Sequence, residues 1–246
     1  MENKRLLSLD IFRGLTIILM IIVNDPGSGE HIFAPLRHAV WNGLTPTDYV
    51  FPSFLFIVGV SIVLSMNKQK ESGKSLSEIT KKVVFRALKI YAVGIFLWLW
   101  PNFNFEGIRW VGVLPRIAFV YLACALLFLY TSRKTQWILG LFGVFAYWLV
   151  VAYLPIPGIG FSDLSMPDKN WANYIDKLLL PGRLYKHTWD PEGILSTIPA
   201  IVSGLIGMCA GYILLQKEEL KNRLNQLFFF GVILIFLGDV MQWFFP

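Results

Sequence analysis

Charge is scarce in this chain. Only 15% of its 246 residues are Asp, Glu, Lys or Arg, where a soluble domain carries about a quarter. With 55% hydrophobic residues and a mean hydropathy of +0.57, that shortage excludes a disordered chain and a collagen and points to a membrane protein. Acidic residues are scarcer than basic ones, 16 against 22, for a net charge of +6. On one soluble face such a balance would suggest an anionic partner. Here the charges fall between apolar segments, so they report orientation in a lipid bilayer, and no nucleic-acid partner is expected. Cysteine is nearly absent: Cys124 and Cys209 lie inside apolar runs, where a thiol behaves as a small hydrophobe, and no disulfide framework or metal site is expected. A cleavage pattern is lacking as well. The basic start is followed by apolar Ile11 to Val23, but this run has Asp10 and Arg13 in its first turn and ends in Asn24-Asp25-Pro26; it reads as a retained first span.

What the chain has is long apolar windows. A spanning helix needs about 20 such residues, and seven windows qualify: Leu9 to Asn24, Tyr49 to Met66, Val83 to Pro101, Val111 to Tyr130, Trp137 to Leu154, Ile194 to Leu215 and Leu227 to Phe245. The expected fold class is therefore all-α, a polytopic helical membrane protein of about seven transmembrane helices forming one domain over residues 1–246. Two connections are long, Asp25 to Asp48 and Pro155 to Gly193. Basic residues are retained on the cytoplasmic side. Lys4, Arg5, Arg13, the cluster from Lys68 through Lys89, Arg133, Lys134, Lys217, Lys221 and Arg223 fall on alternate connections. The N-terminus is expected inside and both long loops outside. A chain end at Trp243-Phe244-Phe245-Pro246, apolar and without a polar tail, suggests an early stop.

Ionisable groups within a bilayer ask for a reason, since a central Arg costs about 2.5–3.5 kcal/mol on insertion scales. Asp10 and Arg13 are three apart and share a helix face; they either seat the helix as an ion pair or leave Arg13 to meet a ligand phosphate. The first long loop concentrates Asn24, His38, Asn42 and Asp48 around Trp41. A histidine can take a proton near neutral pH and a nearby amide can donate to an oxyanion, a set suited to acyl transfer. The same groups could instead satisfy one another and water. Arg116 either snorkels or anchors an anion or Asp48. Asp190 and Glu192 line the entry to the sixth span, where the helix dipole favours them in any case. Asp239 is either buried for function or close to the outer end of its span.

The blocks Ser8-Leu9-Asp10-Ile11-Phe12-Arg13-Gly14 with Asn24, His38-Ala39-Val40-Trp41-Asn42-Gly43-Leu44-Thr45 with Asp48, Gly112-Val113-Leu114-Pro115-Arg116-Ile117, and Asp190-Pro191-Glu192-Gly193 resemble the heparan-α-glucosaminide N-acetyltransferase family and its bacterial homologues. The resemblance runs from residue 8 to the end. It implies a transmembrane acyltransferase taking acetyl from cytoplasmic acetyl-CoA to a glucosamine-type amino sugar on the far side, in the cytoplasmic membrane of a bacterium, with a homodimer as one open arrangement. His38 matches the family's catalytic histidine, as general base or acetyl carrier, and Asn24 the asparagine beside it. Asn42, Asp48, Arg116, Asp190 and Glu192 match substrate-lining positions, and Asp10 and Arg13 would face acetyl-CoA. Pro115 stands where the family pattern has Gln, and relatives continue with further helices, so the chain is expected to lack a C-terminal third. The competing class is a transporter or flippase for an anionic or sugar-containing solute, which would use the same intramembrane charges; it should show two related halves of broken helices, and no such internal symmetry is visible.

Overall fold

The structure is a computed structural model and describes residues 6–28, 31–185 and 187–244. Eight α-helices order the described chain: α1 (Leu7–Asn24), α2 (Val50–Glu71), α3 (Leu76–Leu99), α4 (Val113–Tyr130), α5 (Arg133–Tyr153), α6 (Trp171–Leu179), α7 (Thr197–Leu214) and α8 (Leu220–Met241). Short 3-10 turns at Ala34–Leu36 and Pro46–Tyr49 lie between α1 and α2. Six helices are long and apolar enough to cross a membrane: α1, α2 with the turn before it, α4, α5, α7 and α8. The remaining expected span, Val83 to Pro101, falls in the 24-residue α3. Glu78, Lys81, Lys82, Arg86 and Lys89 crowd its first part, and only the stretch beyond Lys89 is continuously apolar. Lys4, Arg5 and the end of the seventh window at Phe245 lie outside the described residues.

The core is built by α2, α4 and α7, with α3 laid against α4 and α5 against α7. Leu55, Ile62, Val63 and Met66 from α2 meet Val120 and Cys124 from α4 and Met208 from α7, all buried. In lipid there is little hydrophobic force between helices, so close approach through small residues does the joining. A Cβ at Gly59 would strike the backbone of Gly204 and Met208, and one at Gly207 the Phe56 backbone. α1 and α8 are peripheral: α1 buries only Thr16, and α8 buries none of its residues.

Both long connections gather at one end of this bundle, called here the loop end, where Trp41 bonds the Leu164 carbonyl and Arg109 bonds Asp190. The opposite, basic end is tied by Lys70 to the Phe128 carbonyl, by Arg133 over Tyr212 and by Arg223 to the Leu214 carbonyl. The second long loop is structured. It opens with a two-residue antiparallel hairpin, Pro155–Ile156 on Gly160–Phe161, and continues into α6, whose N-cap Asn170 accepts from the Asn173 N–H.

Candidate functional site

The centre of the first long loop is Asp48. It sits in the 3-10 turn that opens α2, where Pro46 presets the backbone and the carboxylate reaches back to the Thr45 N–H, as in a capping box. Its Oδ2 accepts from the N–H groups of Thr45 (2.9 Å) and Ala39 (3.2 Å) and stands 2.9 Å from the Thr45 hydroxyl. That hydroxyl also lies 2.7 Å from the Arg37 carbonyl, so its single proton serves one of the two. Oδ1 is left for His38 Nδ1 at 2.7 Å. A carboxylate can only accept, so Nδ1 carries the proton, and in the neutral imidazole Nε2 carries the lone pair. The His38 side chain is 65% exposed, and its free edge is open to an incoming group.

The rest of the motif anchors this loop. Trp41 Nε1 donates to the Leu164 carbonyl at 2.8 Å and Asn42 Nδ2 to the same oxygen at 3.2 Å. Trp41 meets Trp189 edge to face, with ring centroids 5.2 Å apart. Asn24 is the exposed last residue of α1, and among the described residues no hydrogen bond joins it to His38.

A second cluster lies beside it at the loop end. Arg109 grips Asp190 through two bonds, Nε to Oδ2 at 2.7 Å and Nη2 to Oδ1 at 2.6 Å, and also bonds Glu192. Such fork pairing is the strong form of charge-assisted hydrogen bond. Asp190 also accepts the Tyr185 and Glu192 N–H groups, and the Arg109 plane lies 4.8 Å from the Tyr185 ring centroid. Burial works to raise the Asp190 pKa, but Arg109 and the two N–H groups outweigh it and hold the carboxyl below its ordinary value. Glu192 goes the other way: burial and the charge of Asp190 raise it despite Arg109.

Arg116, expected either to snorkel or to anchor an anion or Asp48, bonds the Gly193 carbonyl at 3.2 Å and Ser196. Asp48 has its lone pairs filled by the His38 loop, so the alternative of an Arg116–Asp48 pair is not the arrangement found. Asp190 and Glu192 do not cap α7, which begins at Thr197; they are drawn back to Arg109. Nearby, Asp176 of α6 is wholly buried. One of its oxygens accepts the Ile194 N–H at 2.7 Å while the other has no partner, and burial pushes its pKa up to about 6. Gly193 packs so tightly on this carboxylate that a Cβ would overlap it.

Asp10 and Arg13 lie on α1, whose other end carries Asn24. They pair at 3.0 Å, and Arg13 also donates to Ser61 of α2 at 3.1 Å. Eleven residues separate Arg13 from Asn24, about 16 Å of helix rise. The structure thus joins His38 to Asp48, Asn42 to the second loop, and Arg116, Asp190 and Glu192 into a neighbouring cluster, while Asp10 and Arg13 stand apart. A cavity of about 230 Å³ between α5 and α7, lined by Trp137, Val144, Trp148, Val202 and Leu205, contains none of these groups. Among the described residues no cluster of three or more His, Cys, Asp or Glu could hold a metal.

Sequence reasoning missed Arg109 and Asp176. Arg109 carried a signal, a lone cation between apolar Ile108 and Trp110. Asp176 carried little, since a single acid in a polar loop is ordinary.

The family model described as "Heparan-alpha-glucosaminide N-acetyltransferase, catalytic" matches residues 5–245. The heparan-alpha-glucosaminide N-acetyltransferase of Mus musculus is 32% identical over 91% of this chain and 41% of its own length. That of Homo sapiens is 35% identical over 89% of this chain and 40% of its own length. The chain therefore spans about two-fifths of the length of the curated relatives it matches.

Proposed function

Because the chain belongs to the heparan-alpha-glucosaminide N-acetyltransferase family, we propose that it is a multi-pass membrane acetyltransferase. It moves acetyl from acetyl-CoA to the amine of a glucosamine-type sugar at the loop end, as one domain over residues 1–246. The observation that carries this reading is the His38–Asp48 pair, with Nδ1 committed to the carboxylate and the Nε2 edge open.

In this reading Nε2 takes a proton from the sugar amine as its nitrogen attacks the thioester carbon. The C–N bond forms, the C–S bond breaks, and the imidazolium returns its proton to the departing CoA sulfur. Asn24 and the remaining amide hydrogen of Asn42 are the candidates to donate to the oxyanion. Attack by Nε2 itself, giving an acetyl-histidine, is the covalent variant. Asp48 is a positioning residue, and Asp190 and Glu192, held by Arg109, shape the acceptor side with Arg116. Arg13, beside Asp10, lies toward the basic end, where it would meet the CoA phosphates. The charge distribution supports an N-terminus inside and a loop end outside; the membrane assigned in this reading is the cytoplasmic membrane of a bacterium.

The test is transfer of labelled acetyl from acetyl-CoA to glucosamine-containing acceptors by purified protein in detergent, beside its His38→Ala form. Transfer by the parent and its loss in the variant, with acetyl-CoA binding kept, is the expected outcome. Transfer that survives His38→Ala removes His38 from the chemistry.

A further inference from the structure

Nine tryptophans occur in the chain, and those at helix ends mostly face outward: Trp100 is 61% and Trp243 77% exposed. Trp41 and Trp189 behave differently. Both are half-buried, and they pack edge to face across the two long loops. The Trp41 N–H, which an interfacial tryptophan would offer to headgroups or water, turns inward to the Leu164 carbonyl. Trp189 directly precedes Asp190, whose carboxylate is locked by Arg109 and by two backbone N–H groups. The Trp41 indole is thus held by its own hydrogen bond, and Trp189 by the anchoring of the residue after it. In an edge-to-face pair only one ring lends a face to the contact, and Trp41 stands three residues from His38 and Trp189 three residues from Glu192.

We infer that the Trp41–Trp189 pair is the platform on which the acceptor's pyranose ring rests, Trp189 making it selective for a cyclic sugar over other amines. A pyranose has a face of C–H groups flanked by hydroxyls. A rigid indole matches that face at little entropy cost, and Glu192 and His38, each three positions along the chain from one of the two indoles, are the groups assigned to orient the amine. This rests on the acetyltransferase reading above and adds what recognises the acceptor.

The experiment measures steady-state transfer by the full chain in detergent, varying glucosamine and acetyl-CoA separately, for the parent, Trp189→Ala and Trp189→Phe. The Ala form should raise the glucosamine KM about tenfold or more, the equivalent of about 1.4 kcal/mol, with the acetyl-CoA KM unchanged, and the Phe form should recover most of the loss. Should the Ala form not fold, the decision passes to the parent and Trp189→Phe. Glucosamine should change the parent's indole emission, saturating near its KM, and the change should be smaller in Trp189→Phe. An unmoved glucosamine KM, equal shifts in both KM values, or an identical emission change in the two proteins overturns the platform while leaving the enzyme in place. Absence of transfer by the parent overturns the acetyltransferase reading itself.

Discussion

Replacing Asp48 by Asn tests the orientation of His38 with almost no change in shape. Asp48 Oδ2 accepts from the N–H groups of Thr45 and Ala39, and only the amide oxygen of Asn can take that place. The amide nitrogen must then face His38 Nδ1, where the carboxylate stands 2.7 Å away in the parent. An amide NH2 donates, so Nδ1 becomes the acceptor and the proton moves to Nε2, leaving the open edge with no lone pair. Turning the amide round to recover the base leaves two backbone donors without partners, at about 1–3 kcal/mol each. The productive form is then disfavoured by about 2–6 kcal/mol, which lowers kcat by roughly 30-fold to 10⁴-fold. The acetyl-CoA KM should be unchanged, since Arg13 and the basic end are untouched, and thermal unfolding in detergent should shift little because the turn keeps its acceptor. Transfer rates under saturating donor and acceptor check this. A kcat within about threefold of the parent would refute the assignment of Asp48 as the group that sets the tautomer.

Two further outcomes follow from the neighbouring cluster. Arg109→Met strands Asp190, whose side chain is 0% exposed, and removes the partner of Glu192; breaking a buried pair in this way costs about 3–5 kcal/mol, to be read as a fall in unfolding free energy in detergent. An unfolding midpoint equal to the parent's would contradict a buried clamp. Asp176 gives a pH dependence of known sign. Its folded pKa of about 6 stands above the ordinary carboxyl value of 3.8, so the folded chain holds a proton that the unfolded chain has released, and stability falls as pH rises from about 4 to about 6. The full span is about 3 kcal/mol. Asp176→Asn should remove that contribution, making the variant more stable than the parent at neutral pH but not at pH 4, and a constant difference across that range would count against it.

The helices were legible because lipid demands long apolar runs, and the run boundaries nearly coincide with α1, α4, α5 and α7. The His38 loop was legible because its polar groups are packed into a few residues and form one local turn. What the sequence did not disclose depends on distance along the chain. Arg109 and Asp190 are 81 positions apart, and nothing in the spacing of either block predicts that Asp190 turns toward Arg109 and not onto the start of α7. The Arg116–Asp48 alternative failed for the opposite, local reason: the carboxylate is filled by donors within ten residues of it, which local reading could have counted. Asp176 escaped notice because α6 is nine residues long, too short to stand out inside a 39-residue polar loop.

These long-range ties bear on how a loop-borne site can act at all. His38 lies in irregular chain at a bundle end, on no helix, and catalytic geometry tolerates little displacement. Three contacts supply the rigidity that a helix would otherwise give. Asp48 roots the loop in the start of α2, the Leu164 carbonyl holds Trp41 and Asn42 from the second loop, and Arg109 fixes the segment bearing Trp189 to the chain before α4. Each tie reaches a different part of the bundle, so a shift of α2, the second loop or α4 would be felt at His38. The loop end is accordingly a single braced unit, and α1, which carries Arg13 at its far end and packs on α2 and on the Pro46–Tyr49 turn, is the helix through which the basic end is tied to it.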